Sequence, residues 1–179
     1  MLLERLYIFD FDLRRILNDL LEEVEVTVKT QIAYCLSHKL SPDFYLDSSY
    51  FFNEDNHKIL IDKIETEKIN NKTSPIVRRY DGETMPLWVL VELLPFGTIS
   101  KMYSNLKYEY KKMVTGGNGN YYKYHHKALS SYLYVAVQLR NRCSHRARIY
   151  ARYINAKMSY SQSDLLIFDK YSYPYLFNK

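Results

Sequence analysis

The segment VQLRNRCSHRARIYAR, residues 137–152, gathers the side chains of this sequence best suited to chemistry on a charged group. Five of its residues are arginines, half of all the arginines in the chain, and Arg140 stands five positions before His145. A guanidinium binds a phosphoryl group through paired charge-assisted hydrogen bonds and stabilises charge that develops on its oxygens. An imidazole takes up and gives back a proton near neutral pH. Together they suit RNA cleavage without a metal. The ribose 2′-hydroxyl loses a proton and attacks the adjacent phosphorus, and the 5′-oxygen leaves with a proton. One such histidine per chain supplies one proton carrier, so acid and base together need two. A symmetric dimer with the motif at its two-fold axis supplies both.

The pair must first converge. Five residues of continuous helix turn about 500°, which points Arg140 and His145 some 140° apart. The sequence offers a break between them: one helix ends near Arg142, and Ser144 caps a second that runs to Lys157. His145 then sits in a first turn, where the helix terminus, Arg146 and Arg148 all disfavour imidazolium. The same terminus, with Arg140, would form a phosphate site. Plainer readings use the same residues. An arginine and a histidine at this spacing arise by chance about once in a chain of this make-up. A solvated arginine face with a structural histidine is one alternative, and a nucleic-acid-binding face without catalysis is another.

Helices must hold these groups. Leu6, Phe9, Leu13, Leu17, Leu20, Val24 and Val28 step by three or four residues along one stripe, predicting a helix to about Leu36. Residues 41–52 read as an ordered aromatic loop, and Asp55–Ile69 as a second helix. Residues 70–86 are polar and turn-rich. Pro86 opens a short apolar helix, Trp88 to Leu94, expected to pack in the core. The Pro-Phe-Gly at 95–97 closes it, and Thr98 or Ser100 caps a helix to about Met113. TGGNGN, residues 115–120, is a turn, with no lysine placed to make a phosphate loop. A helix from Tyr124 to Arg142 follows, then the one from Ser144. The aromatic tail has no assigned structure. The fold class is all-α and bundle-like.

Composition agrees with one globular domain. The chain has 179 residues, 47% apolar, with a net charge of +5 and a pI near 9.0, which permits an anionic partner. Two cysteines, Cys35 and Cys143, make no disulfide framework and read as small core residues of a reducing compartment. No apolar run approaches the roughly 18 residues of a membrane span, and no signal peptide is evident, so the expected location is cytoplasmic. His125 and His126 point about 100° apart on a helix, with His38 and His57 elsewhere, so no metal site and no cofactor is expected. Cys143 near His145 lacks an orienting group for a thiol nucleophile. Residues 107–112 form a basic aromatic face, either solvated or open to RNA. Glu25 and Lys29 form a helical i,i+4 pair.

Three stretches resemble one family. LRNRCSHRAR is similar to the Leu-Arg-Asn-x-x-Ala-His-x-x-Arg signature of bacterial Abi-like proteins, the abortive-infection AbiD/AbiF group of the HEPN superfamily. FDFDLRRILNDLLEEVEVTVKTQIAY resembles the first core helix of the family, with Phe11, Asp12, Arg14, Glu25 and Thr30–Gln31 in matching places. YDGETMPLWVLVELLPFGTISKMYSNL resembles its central motif, here Trp88, Glu92, Phe96, Gly97 and Ser100.

The resemblance implies an all-α HEPN-type bundle with a long N-terminal helix and additional short helices, over residues 1–157, followed by a tail at 158–179. It implies a metal-independent endoribonuclease in which Arg140 and His145 are catalytic and Asn141 orients the arginine or the phosphate. Arg142, Arg146, Arg148 and Arg152 would bind RNA, while Glu25 and Ser144 would support the site. Implied partners are RNA, a second copy of the chain, and a regulatory small RNA or antitoxin protein. The chain departs from the family pattern in three places. The helical segment that usually comes first is absent before Leu2, Ser144 replaces an alanine, and Arg146 replaces a second histidine. An RNA-binding module without catalysis and a structural dimerisation bundle are the competing functions.

Overall fold

The structure, a computed structural model, describes residues 2–115 and 126–159. The glycine-rich turn from residue 116 on, the start of the next helix at Tyr124, and the tail from residue 160 lie outside the described residues. Helix α1 spans Leu2–Lys39. It holds no glycine or proline, and at 38 residues it is about 57 Å long. Only its second half enters the core, through Val28, Ile32, Ala33, Cys35 and Leu36. Much of the apolar stripe expected along its first half is exposed, including Leu6, Phe9 and Leu20.

Two short 3-10 turns, Phe44–Leu46 and Ser48–Tyr50, organise the aromatic loop. Helix α2, Glu54–Asn70, starts where the Asn53 side chain accepts the Asn56 N–H. A short helix α3, Pro75–Arg79, lies in the segment read as irregular, and Pro75 sits in its first turn. Helix α4, Leu87–Leu93, buries Leu87, Val89, Leu90 and Val91. The helix thus packs in the core as expected, while the Trp88 side chain itself is 49% exposed.

The helix expected from Thr98 to Met113 is two helices. Helix α5, Phe96–Asn105, begins directly after Pro95, and α6 is Tyr108–Thr115. Between them Leu106 is extended and pairs with Phe51. The Phe52 N–H donates to the Asn105 carbonyl at 2.8 Å, and the Lys107 N–H to the Tyr50 carbonyl at 3.0 Å. Backbone partners in a distant loop replace the helical bonds at that point. Helix α7, His126–Ser144, packs on α1, α5 and α6. The core lies where the second half of α1 meets α4, α5 and α7, around Leu36, Leu87, Ile99, Tyr103 and Leu133. Among the described residues the fold is all-α, with a single isolated β-bridge, and no helix is long and apolar enough to cross a membrane.

Candidate functional site

The final turns of α7 carry Arg140, Asn141, Arg142, Cys143 and Ser144, and His145 follows at once. The helix does not break between Arg140 and His145. The His145 N–H still donates to the Asn141 carbonyl at 3.0 Å. The Arg146 N–H then reaches the Cys143 carbonyl at 3.1 Å and the Ala147 N–H reaches the Arg142 carbonyl at 2.9 Å. Arg146 takes a φ of 54°. One left-handed residue thus folds two N–H groups back onto carbonyls that the helix leaves open, a C-terminal cap. Glycine is the usual residue there, and no glycine marks this stop.

The predicted second helix, Ser144 to Lys157, is therefore absent. Residues 145–159 form turns and irregular chain. Ser144 closes a helix instead of capping a new one, and its Oγ donates to Asn18 Oδ1 on α1 at 3.4 Å. His145 lies beside a carboxyl end, where the backbone partial charge is negative, so the expected helix N-terminus and its phosphate site are not formed. Within one chain Arg140 and His145 remain on diverging bearings, some 140° apart by helical geometry.

Arg140 faces α1. Its Nε lies 3.4 Å from Glu25 Oε2, while Glu25 Oε1 holds Lys29 Nζ at 2.7 Å. The Glu25–Lys29 pair follows the expected spacing, and the link from Glu25 to Arg140 across two helices is a product of packing. With Glu92, these residues line a cleft of about 530 Å³ between α1, α4 and α7. The His145 side chain is exposed and does not line this cleft.

A second cleft, about 760 Å³, lies between the first half of α1 and the segment after α7. Arg14, Arg15, Arg146 and Arg148 line it, with Ser144 in its wall. Asp10, buried on α1, fixes its shape. One carboxylate oxygen accepts the N–H of Ile149 at 2.9 Å and that of Tyr150 at 2.7 Å. The other oxygen pairs with Arg14. Burial pushes the Asp10 carboxyl up, but the N–H groups of Tyr150 and Ile149, with Arg14 and Arg148, outweigh it and hold the group below the usual carboxylate range. The Phe9 ring meets Tyr150 edge-on at 5.4 Å.

Sequence reasoning missed Asp10. It matched Phe11 and Asp12 to the family, yet Asp12 is half-exposed beside Arg15 at 3.9 Å and Phe11 is exposed. The repeat Phe-Asp-Phe-Asp allowed either register. The available signal was Asp10 and Arg14 at i,i+4.

The remaining predicted residues divide clearly. Asn141, Arg146, Arg148 and Arg152 are exposed. Arg142 is half-buried and donates to the Tyr153 carbonyl at 3.4 Å, which braces the segment after α7. Cys143 is buried and burial pushes its thiol up, against a role as a thiolate. His57 binds the Tyr45 carbonyl at 2.8 Å and His126 packs edge-on against Tyr108, both structural. Among the described residues no group of three histidine, cysteine or carboxylate side chains gathers as a metal would need.

A family model described as Abi-like protein matches residues 3–151, from the first turn of α1 to just past the amides that Asp10 holds. The chain belongs to the Abi-like family. Membership points to a function related to abortive infection. Comparison with curated proteins gave no match, and comparison with solved structures gave none. The match takes in nearly all of α1, with Glu25, the α7 end and the Asp10 clamp, while Arg152 and Tyr153 lie just past it.

Proposed function

We propose that this Abi-like protein is a metal-independent endoribonuclease of the HEPN type, active as a homodimer in an abortive-infection or toxin–antitoxin system. One observation carries the reading. Arg140 and His145 sit at the open end of one helix, with His145 exposed, and helical geometry turns them away from each other. Chemistry that needs both at one phosphate draws them from two copies, and a two-fold axis at the α7 ends does this. Arg140, oriented by Glu25, binds the phosphoryl oxygens. The two His145 side chains share the proton transfers, one accepting from the 2′-hydroxyl and the other donating to the 5′-oxygen. The products are a 2′,3′-cyclic phosphate, or a 3′-phosphate after its hydrolysis, and a 5′-hydroxyl. Asn141 helps orient the phosphate, and the exposed Arg146, Arg148 and Arg152 hold the RNA backbone. Such an activity calls for restraint by a small RNA or an antitoxin protein.

Incubation of the purified protein with labelled RNA in EDTA tests this. Cleavage is expected to survive the chelator and to disappear in His145→Ala and Arg140→Ala, both still folded by circular dichroism. A protein that retains RNA without cutting it is instead a binding module, with affinity falling steeply as salt rises.

A further inference from the structure

The Asp10 cleft has a composition that the catalytic pair does not use. Tyr7 and Phe11 stand at i and i+4 on one face of α1, 70% and 52% exposed. Among the described residues neither ring packs on another aromatic ring. Across the cleft stand Arg146 and Arg148, neither held in an ion pair among the described residues. Asp10 is the one acidic residue in the lining, against four arginines. Its charge is already taken up by two N–H groups and by Arg14. The cleft therefore offers flat apolar faces beside exposed guanidinium groups, of which only Arg148 is near enough to act on Asp10, in a volume within the range of small-ligand sites. Aromatic faces that stack bases, with arginines that follow the backbone, are the means by which proteins hold single-stranded nucleic acid.

We propose that this cleft is a nucleotide subsite, in which Tyr7 and Phe11 stack a base and Arg146 and Arg148 hold its phosphate. The proposal rests on the RNA reading above and extends it to the first half of α1, which contributes nothing to the reacting groups. Ser144 lines the cleft and directly precedes His145. A strand cut at His145 would thus rest the nucleotide beside the scissile phosphate here. The same chemistry would suit a free mononucleotide, and the two sources are separable.

The test uses the full chain carrying His145→Ala, so that RNA stays intact. Binding of a short single-stranded RNA and of free uridine and adenosine monophosphates is measured by fluorescence anisotropy and competition. Tyr7→Ala and Phe11→Ala are each expected to weaken RNA binding roughly 5- to 150-fold. Phe52→Ala, an exposed aromatic outside the cleft, is expected to leave it unchanged. Arg148→Gln should reduce the slope of log affinity against log salt by about 0.7. A 5-iodouridine RNA should crosslink to Tyr7 or Phe11. Tight competition by a monophosphate would assign the subsite to a free nucleotide and overturn the RNA-strand assignment. Unchanged affinity in both aromatic variants, crosslinks elsewhere, or no RNA binding at all would overturn the proposal. So would a Tyr7-dependent change in mass with protein concentration that RNA does not alter, since the cleft would then be a protein contact. Wild-type cleavage, assayed separately, keeps the two readings apart. A chain that cuts RNA with an intact Tyr7→Ala affinity loses only the subsite, and one that binds through Tyr7 without cutting loses only the nuclease.

Discussion

Asp10 shows how much one buried carboxylate can decide. It accepts two main-chain N–H groups and pairs with Arg14, so it ties residues 149 and 150 to α1 and sets the course of the arginine-rich segment. Asp10→Ala leaves two donors and a guanidinium without their acceptor, and is expected to lower unfolding stability by about 1–3 kcal/mol in urea. Asp10→Asn keeps an acceptor oxygen and should cost less. The sign of the pH effect follows from the direction of the shift. The folded carboxyl lies below its ordinary range, so its contribution is complete above about pH 4 and is lost as pH falls through the folded value. The Ile149 and Tyr150 amide resonances should therefore hold steady from neutral pH to about pH 4 and move only below it. A change already complete at about pH 5.5 would contradict the clamp.

The end of α7 was the least legible element. Ser144 after an arginine run reads equally as the start of a helix, and a left-handed arginine leaves no mark in the sequence. The stop at Arg146 is set by its φ of 54° and by the two N–H groups that fold back there. A non-glycine residue in this conformation carries a cost. Arg146→Gly is expected to be neutral or to stabilise the fold by up to about 1 kcal/mol, the relief of strain being partly offset by chain entropy. Arg146→Val, β-branched, should destabilise by about 1–3 kcal/mol. Thermal unfolding of the two variants checks the order. A fall with glycine as large as with valine would mean that the arginine side chain, and not the backbone, holds the turn. The break between α5 and α6 was equally hidden. Leu106 looks helical from its neighbours, but the Asn105 carbonyl and the Lys107 N–H on either side of it pair with Phe52 and Tyr50.

Among the described residues the fold has one consolidated end and one open end. The second half of α1 is buried among α4, α5, α6 and α7, while Leu2, Leu3, Ile8, Ile16 and Leu20 of the first half remain exposed. Exposed apolar groups gathered on one element often mark a contact surface, and the nuclease reading proposed above calls for a dimer. Exchanging wild-type chains with an equal amount of His145→Ala chains tests the proposed dimer. Only a dimer of two wild-type chains keeps both histidines, and random pairing makes about one quarter of the dimers of that kind. Cleavage is therefore expected to fall to about one quarter of that of the same total amount of chain, all wild-type. A fall to only about one half, with exchange of subunits verified by mass, would show that each chain cuts alone.

The sequence by itself determined the helical class, the long glycine- and proline-free α1, the Glu25–Lys29 pair, the burial of both cysteines, and the family. These depend on local spacing and on short motifs, which the chain carries whatever its tertiary contacts. Tertiary structure alone decided which half of α1 reaches the core, that Trp88 faces outward, that Arg140 reaches Glu25, and that Asp10 rather than Asp12 holds the loop after α7. Each of these depends on groups far apart in sequence meeting in space, such as residues 10 and 150. Helical periodicity gives the direction of a side chain around its own axis, and only packing gives it a neighbour.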